Sequence, residues 1–296
     1  EETLASARKD LTALLGSFDR GRVLRSGVKA ALLGRPNTGK SSLLNALAGY
    51  DRVIVTEIPG TTRDAVDTYF VDQDGTAFNI IDTAGIRRKR AIEEESLERY
   101  SVLRAIAAIR RCDVALLLID ALDGVTEQDT KIAGLIANEG RAAIIVVNKW
   151  DAVEKETGTL EKYRKKVLSD LKFMDYCPVL FISSLTGQRV APVLNTVKSV
   201  YAMATKRITT GVLNDVLNEA TSALQPPLMG GRRLKIYYAT QHSVQPPTFV
   251  LFVNDEKLLF FAYERYLENY FRKTFDFTGT PIRFQLRQKT RDNPAV

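Results

Sequence analysis

Residues 28 to 49 read VKAALLGRPNTGKSSLLNALAG. VKAALL has the character of a short strand and SLLNALAG that of a helix. Between them GRPNTGKS, residues 34 to 41, fits G-x-x-x-x-G-K-[ST] in the strand–loop–helix context that this pattern requires. Gly34 and Gly39 allow the backbone to curl until successive N–H groups point at phosphate oxygens, and the following helix adds the positive end of its dipole. Lys40 is expected to bridge the β- and γ-phosphates of a nucleotide. Ser41 is expected to offer its hydroxyl to Mg²⁺, a hard cation that takes oxygen ligands and keeps several waters. The phosphate-binding set is then Gly34, Arg35, Pro36, Asn37, Thr38, Gly39, Lys40, Ser41 and Ser42.

Outward from this loop, short apolar runs alternate with amphipathic helical segments as far as about Thr205, for example DVALLLID, QDTKIAGLIANEG, AAIIVVNKWD and PVLNTVKSVYAMATKR. The alternation predicts an α/β fold, a mostly parallel sheet with helices on both faces. On the other side, Leu4, Ala7, Leu11, Leu14 and Leu15 predict a helix within residues 3 to 18. After Thr205 the text predicts a helix over 210 to 224, a strand over 234 to 240, a second strand TFVLFVN, a helix over 256 to 273 and a last strand PIRFQLRQK. This α-β-β-α-β order makes a small α+β module. The expected division is residues 1–27 as helix and linker, 28–204 as the α/β domain and 205–296 as the small module.

Two further motifs end predicted strands. In DTAG, residues 82 to 85, Asp82 is placed to hold Mg²⁺ through water and the Gly85 N–H to reach the γ-phosphate, so Asp82, Thr83, Ala84, Gly85 and Ile86 join the nucleotide-binding set. In NKWD, residues 148 to 151, Asp151 can accept two hydrogen bonds from the N1–H and 2-amino group of guanine. Adenine has no matching donors and would leave the carboxylate unpaired, which selects GTP over ATP. Asn148 is expected to support the base edge, the Lys149 stem to cover the ring, and the backbone N–H groups of Ser183 and Ser184 to reach guanine O6. Trp150 is expected to pack away from the base.

These motifs in this order resemble the Ras-like GTPase superfamily, in its translation-factor-related bacterial branch. The segment VTEIPGTTRDAVDT, residues 55 to 68, is similar to the PGTTRD element shared by the Der (EngA) and MnmE (TrmE) families. The resemblance implies that Thr62 ligates Mg²⁺ in the GTP state beside Ser41, and that loss of the γ-phosphate releases the segment. It also implies a K⁺ site made by Asn37 with Thr56, Ile58 and Thr61, a fixed positive charge that would serve where Ile86 replaces the water-orienting glutamine of Ras-type enzymes. Lys40, Thr62 and Gly85 carry the catalytic roles in this expectation.

The C-terminal text from RRLKIYYATQHSVQPPTFVLFVN onward is similar to the Der KH-like domain. No G-x-x-G loop lies at the place where KH domains grip single strands, and Gly230-Gly231 reads as a turn. Arg232, Arg233, Lys235, Arg283, Arg287 and Lys289 are the candidate RNA phosphate contacts, whereas Tyr237, Tyr238, Phe249 and Phe252 read as core. The run Arg87-Arg88-Lys89-Arg90 beside Glu93-Glu94-Glu95 admits two readings, a solvated turn or a nucleotide-sensitive contact. Der proteins carry two GTPase domains, of which only the second is matched, and residues 4 to 33 read more like the entry to the MnmE domain.

The expectation is therefore a Mg²⁺-dependent, K⁺-stimulated GTPase acting in large ribosomal subunit assembly, a monomer, or a dimer formed with GTP, whose partners are GTP/GDP and the 50S subunit or rRNA. Two alternatives stand beside it: a nucleotide-gated RNA or ribosome-binding module with little turnover, motivated by Ile86, and an MnmE-like tRNA-modification GTPase, motivated by residues 4 to 33. The net charge is +7, and residues 205 to 296 hold 13 Lys/Arg against 8 Asp/Glu, which suits a polyanionic partner. The longest apolar runs, of six residues, fall far short of the roughly 20 that a membrane-spanning helix needs. With two isolated cysteines and an opening EETLASARKD that lacks the features of a secretory signal, a cytoplasmic setting is expected.

Overall fold

The computed structural model describes residues 27–50, 67–81 and 94–288; of residue 50 and residues 94–101 only the helical backbone is described. The switch segment with Thr56, Ile58, Thr61 and Thr62, the stretch Asp82 to Glu93, Lys289 and the helix expected over 3 to 18 lie outside these residues. The first sheet contains β1 (Val28–Leu33), β2 (Thr68–Val71), β3 (Ala77–Ile81), β4 (Val114–Asp120), β5 (Ala142–Asn148) and β6 (Val179–Phe181) in the order β2-β3-β1-β4-β5-β6. All neighbours are parallel except the edge strand β2, which runs antiparallel to β3 and which the sequence reading did not anticipate.

Every residue of β4 and β5 is buried, so these strands read as continuous apolar runs rather than alternating ones. Alternate residues nevertheless serve two cores. Leu116, Leu118, Ile144 and Val146 pack with Leu43 and Leu47 of α1 (Lys40–Tyr50) and Val193 and Val197 of α5 (Pro192–Ala204). Leu117, Ile119, Ile145 and Val147 pack with Ile109 of α2 (Glu94–Arg111), Ile136 of α3 (Glu127–Asn138) and Val167 of α4 (Thr159–Asp170) on the opposite face. The helices after β1 and β4 thus leave toward opposite faces, and the crevice at their C-terminal ends is the place where doubly wound sheets bind ligands. Cys112 and Cys177 are buried and free, and desolvation pushes the Cys112 thiol up to about 12.

The second unit packs α6 (Thr210–Ala223) and α7 (Phe261–Phe275) on one face of a three-stranded sheet of β9 (Ile236–Ser243), β10 (Thr248–Val253) and β11 (Arg283–Gln288), ordered β11-β10-β9. Tyr263, Leu267, Phe271 and Phe275, one per helical turn, form the buried stripe of α7 against Phe249 and Leu251. A two-residue hairpin of β7 (Leu228–Met229) and β8 (Arg232–Arg233) turns at Gly230-Gly231, as the glycine pair suggested. Two expected boundaries move. β9 begins at Ile236 and continues through Ser243, because Thr240, Gln241 and Ser243 pair with β10, and the first residues of the expected 256–273 helix form a separate 3-10 turn, Glu256–Leu258.

The two units meet at the N-terminal ends of β5 and β6. Gly279 accepts from the Ala143 N–H at 2.7 Å and donates to the Tyr176 carbonyl at 2.8 Å, while the Arg272 guanidinium lies 4.6 Å from the Tyr176 ring centroid. Gly279 has φ +77°, and a Cβ there would come within 2.5 Å of Val200 Cγ2. Gly279→Ala is accordingly expected to destabilise the protein by about 2–4 kcal/mol, combining left-handed strain with overpacking. Denaturant melts test this, and an unchanged midpoint would show that the junction yields without cost.

Candidate functional site

The loop between β1 and α1 is shaped by its own carbonyls. The Lys40 ammonium donates to the Gly34 and Arg35 carbonyls, the latter at 2.7 Å, and the Thr38 hydroxyl donates to the Arg35 carbonyl at 3.0 Å. A Cβ at Gly34 (φ +138°) would lie 2.4 Å from the Leu118 carbonyl oxygen, and one at Gly39 (φ +92°) 2.1 Å from Asn148 Nδ2. Both glycines are therefore required by close approach as well as by backbone angle. Asn37 is also left-handed, with φ 66°. Ser41 and Ser42 are exposed at the first turn of α1, which leaves the Ser41 hydroxyl accessible.

Asn148, 1% exposed at the end of β5, is the centre of the site. Its Nδ2 donates to the Thr38 carbonyl at 2.8 Å, and its Oδ1 accepts from both the N–H and the hydroxyl of Ser184 at 2.9 Å. One side chain thus ties the phosphate loop to the loop after β6. The Ser183 N–H is engaged by the Gln188 carbonyl. Both serine amides expected to face guanine O6 are used within the protein, so such a contact requires the Ser184 N–H to be shared or its bond to Asn148 exchanged. Asp151 is exposed, with no hydrogen bond or ion pair among the described residues, and is free to receive a base edge. Trp150 is buried against Phe181 and Tyr163, with ring centroids 4.5 and 5.3 Å away. Lys149, in the left-handed region at φ 62°, pairs with Asp120 at 2.5 Å.

An ion-pair cluster absent from the sequence reading fixes Arg35, the second residue of the loop pattern. The Arg35 guanidinium bonds Asp123 and lies 3.5 Å from the fully buried Asp129, whose carboxylate also accepts from the Thr126 N–H in a capping box at the start of α3. The Asp123 hydrogen bond, then the charges of Asp129 and Asp120, hold Arg35 above its usual pKa range. The only sequence signal was the T-x-x-D spacing of Thr126 and Asp129, which resembles a helix start.

The RNA candidates do not converge. Arg232, Arg233 and Lys235 are exposed around β8 and the start of β9, and Arg287 is exposed on β11 at the opposite edge of the same sheet end. Arg283 stands at the other end of β11 and donates to the Asn138 carbonyl at 2.7 Å across the unit junction. Tyr238 and Phe252 stack at 4.2 Å, Phe249 is fully buried, and Tyr237 is half-exposed beneath the Lys235 ammonium.

A glycine-shaped phosphate loop at the switch point of a doubly wound sheet, hooked by Asn148 to the loop after β6, with an exposed aspartate at Asp151, defines a P-loop GTPase domain, here followed by a KH-like unit. A family model described as a 50S ribosome-binding GTPase matches residues 29–149, and one described as the KH-domain-like C-terminal part of EngA bacterial GTPases matches residues 207–287. Along most of its length the chain is similar to the Der (EngA) family. GTPase Der of Acetivibrio thermocellus is 59% identical over 265 residues, 90% of this chain and 60% of that protein. GTPase Der of Caldicellulosiruptor saccharolyticus is 52% identical over 282 residues, 94% of this chain and 64% of that protein. The chain spans about three fifths of the length of such relatives. Aquifex aeolicus Era bound to GDP and AlF₄⁻ resembles it at 21% identity and a TM-score of 0.46, over 88% of this chain and 93% of that one.

Proposed function

We propose that the chain hydrolyses GTP to GDP and phosphate, and that it acts as a cytoplasmic monomer in assembly of the large ribosomal subunit, with the division at 28–204 and 205–296 separating nucleotide chemistry from docking. The observation that carries the reading is the Asn148 hook, which joins the phosphate loop to the loop beside Asp151, so that base and phosphate recognition share one rigid support. Asp151 selects guanine, Lys40 exchanges its carbonyl partners for phosphate oxygens, and the following helix start faces the triphosphate.

The donor set suits Mg²⁺: Ser41 presents an exposed hydroxyl, and Thr62 and Asp82, which lie outside the described residues, would add oxygen ligands, the latter through water. Mg²⁺ there would neutralise charge on the β- and γ-phosphates. K⁺ would take oxygens from Asn37, Thr56, Ile58 and Thr61, supplying positive charge where Ile86 offers none. GTP turnover is accordingly expected to be at least about 10-fold faster in K⁺ than in Na⁺ at equal ionic strength; equal rates would remove the K⁺ site.

The docking half is tested by co-sedimentation with isolated 50S subunits at two salt concentrations. Binding with a non-hydrolysable GTP analogue should exceed that with GDP and fall steeply with salt. Equal or absent binding in both states would overturn it. The MnmE-like alternative receives no support from residues 207–287, which match the EngA module. No helix among the described residues is long and apolar enough to cross a membrane.

A further inference from the structure

The end of the first sheet opposite the nucleotide loops carries a concentration of cations. The registers that align Ala30 with Val114 and Val114 with Ala142 place Lys29, Asp113 and Arg141 side by side at the starts of β1, β4 and β5. Arg110 and Arg111 close the group from the last turn of α2. Together they line a cavity of about 210 Å³, to which Gln245 of the KH-like unit also contributes. At about 30 Å³ per water this is room for roughly seven waters, more than one phosphate group occupies.

Part of this charge has a structural duty. Arg110 bonds Glu139 at 2.9 Å, Arg111 bonds Asp67, Arg141 donates from a terminal amino group to the Arg110 carbonyl, and Asp113 accepts from the Lys29 backbone N–H and from Gln245 Nε2. Two donors have none. Arg141 Nε is buried without a hydrogen-bond partner, and the Lys29 ammonium has no ion pair among the described residues. A buried, unmade charged donor is costly, and in a wet cationic cavity an anionic acceptor satisfies it. Positive charge is in excess: Lys29, Arg110, Arg111 and Arg141 line the cavity with Asp113 as its single carboxylate, and the other two carboxylates nearby, Asp67 and Glu139, pair with Arg111 and Arg110.

We propose that this cavity binds a phosphodiester of RNA, so that a strand crossing the junction is held by the GTPase domain and the KH-like unit together. The inference rests on the RNA- or ribosome-docking reading above and names a surface for it away from the β9 and β11 edges. The site lies a strand length, about 20 Å, from the phosphate loop, so it is separable from GTP chemistry. Arg110 and Arg111 keep 65% and 41% of their side chains exposed, which leaves the mouth accessible.

The test uses the whole chain with a fluorescent oligo(U) RNA, a sequence-neutral phosphodiester, across a salt series, comparing wild type with Lys29→Gln and Arg141→Gln. Each variant should bind RNA roughly 3- to 10-fold more weakly and lower the slope of log affinity against log salt by about 1, with GTP turnover unchanged. Arginine Nε–H NMR signals should shift on adding RNA and on adding inorganic phosphate, and the signal missing in Arg141→Gln identifies the reporter. Lys29→Gln keeps the backbone N–H that donates to Asp113 and breaks no side-chain ion pair among the described residues, so it keeps the test open if Arg141→Gln folds poorly. Wild-type binding with unchanged affinity and slope in both variants would overturn the proposal while leaving the docking reading intact. A reporter that answers inorganic phosphate but not RNA would also overturn it, in favour of a small anion. A wild type that binds no RNA would overturn the docking reading and this inference with it.

Discussion

Replacing Asn148 with alanine is expected to lower both stability and GTP affinity. The amide is essentially inaccessible and makes three hydrogen bonds, to the Thr38 carbonyl and to the Ser184 N–H and hydroxyl. Alanine leaves these groups buried and unsatisfied at about 1–3 kcal/mol each, part of which local water recovers, so a net loss of about 2–4 kcal/mol follows. For a chain of this size that corresponds to a fall in Tm of roughly 4–16 °C. GTP affinity should fall about 10²-fold or more, because the phosphate loop loses its tie to the base-side loop. Asn148→Asp separates the causes. It retains an acceptor for Ser184 but faces the Thr38 carbonyl with a buried charge, so it should be no better than alanine. Calorimetry with a nucleotide titration measures both quantities, and an Asn148→Asp protein with normal GTP affinity would show that the Thr38 bond does not matter.

Asp151→Asn is expected to do the reverse, altering recognition without altering stability. Asp151 is exposed and has no hydrogen bond or ion pair among the described residues, so its removal costs the fold almost nothing. Two charge-assisted bonds to guanine, at about 1.5–3 kcal/mol each, would be lost, which predicts a fall in GTP affinity of about 10²- to 10⁴-fold. The amide N–H can instead donate to a 2-oxo group, so xanthosine triphosphate should be preferred over GTP. Competition binding with the two nucleotides checks this. Retained GTP preference would mean that guanine is read elsewhere, and the role given to Asp151 would fall.

The fully buried strands β4 and β5 were readable because their apolar runs, VALLLI and AAIIVV, end in polar residues where the sheet meets solvent. β2 was missed because TYFV is four residues long and gains its place only by pairing with β3 at the sheet edge. The split of the expected 256–273 helix was missed because its apolar pattern continues across the turn at Leu258 to Phe260, where backbone geometry rather than composition sets the start of α7. Within the site, the roles proposed for Gly34, Gly39, Lys40, Ser41, Asn148 and Asp151 were legible because each requirement is local, a residue type at a fixed spacing from a strand end.

By itself the sequence determined most element types, the glycine-shaped phosphate loop and the KH-like character of the second unit, since these depend on hydrophobic period and on backbone conformations that few residues tolerate. Only the tertiary structure decided which distant groups meet: Arg35 with Asp123 and Asp129, Asn148 with Thr38 and Ser184, Gly279 with Ala143 and Tyr176, and Lys29 beside Arg141. Those pairs are set by strand order and register, which come from the packing of two cores on one sheet, and no local spacing in the chain records them.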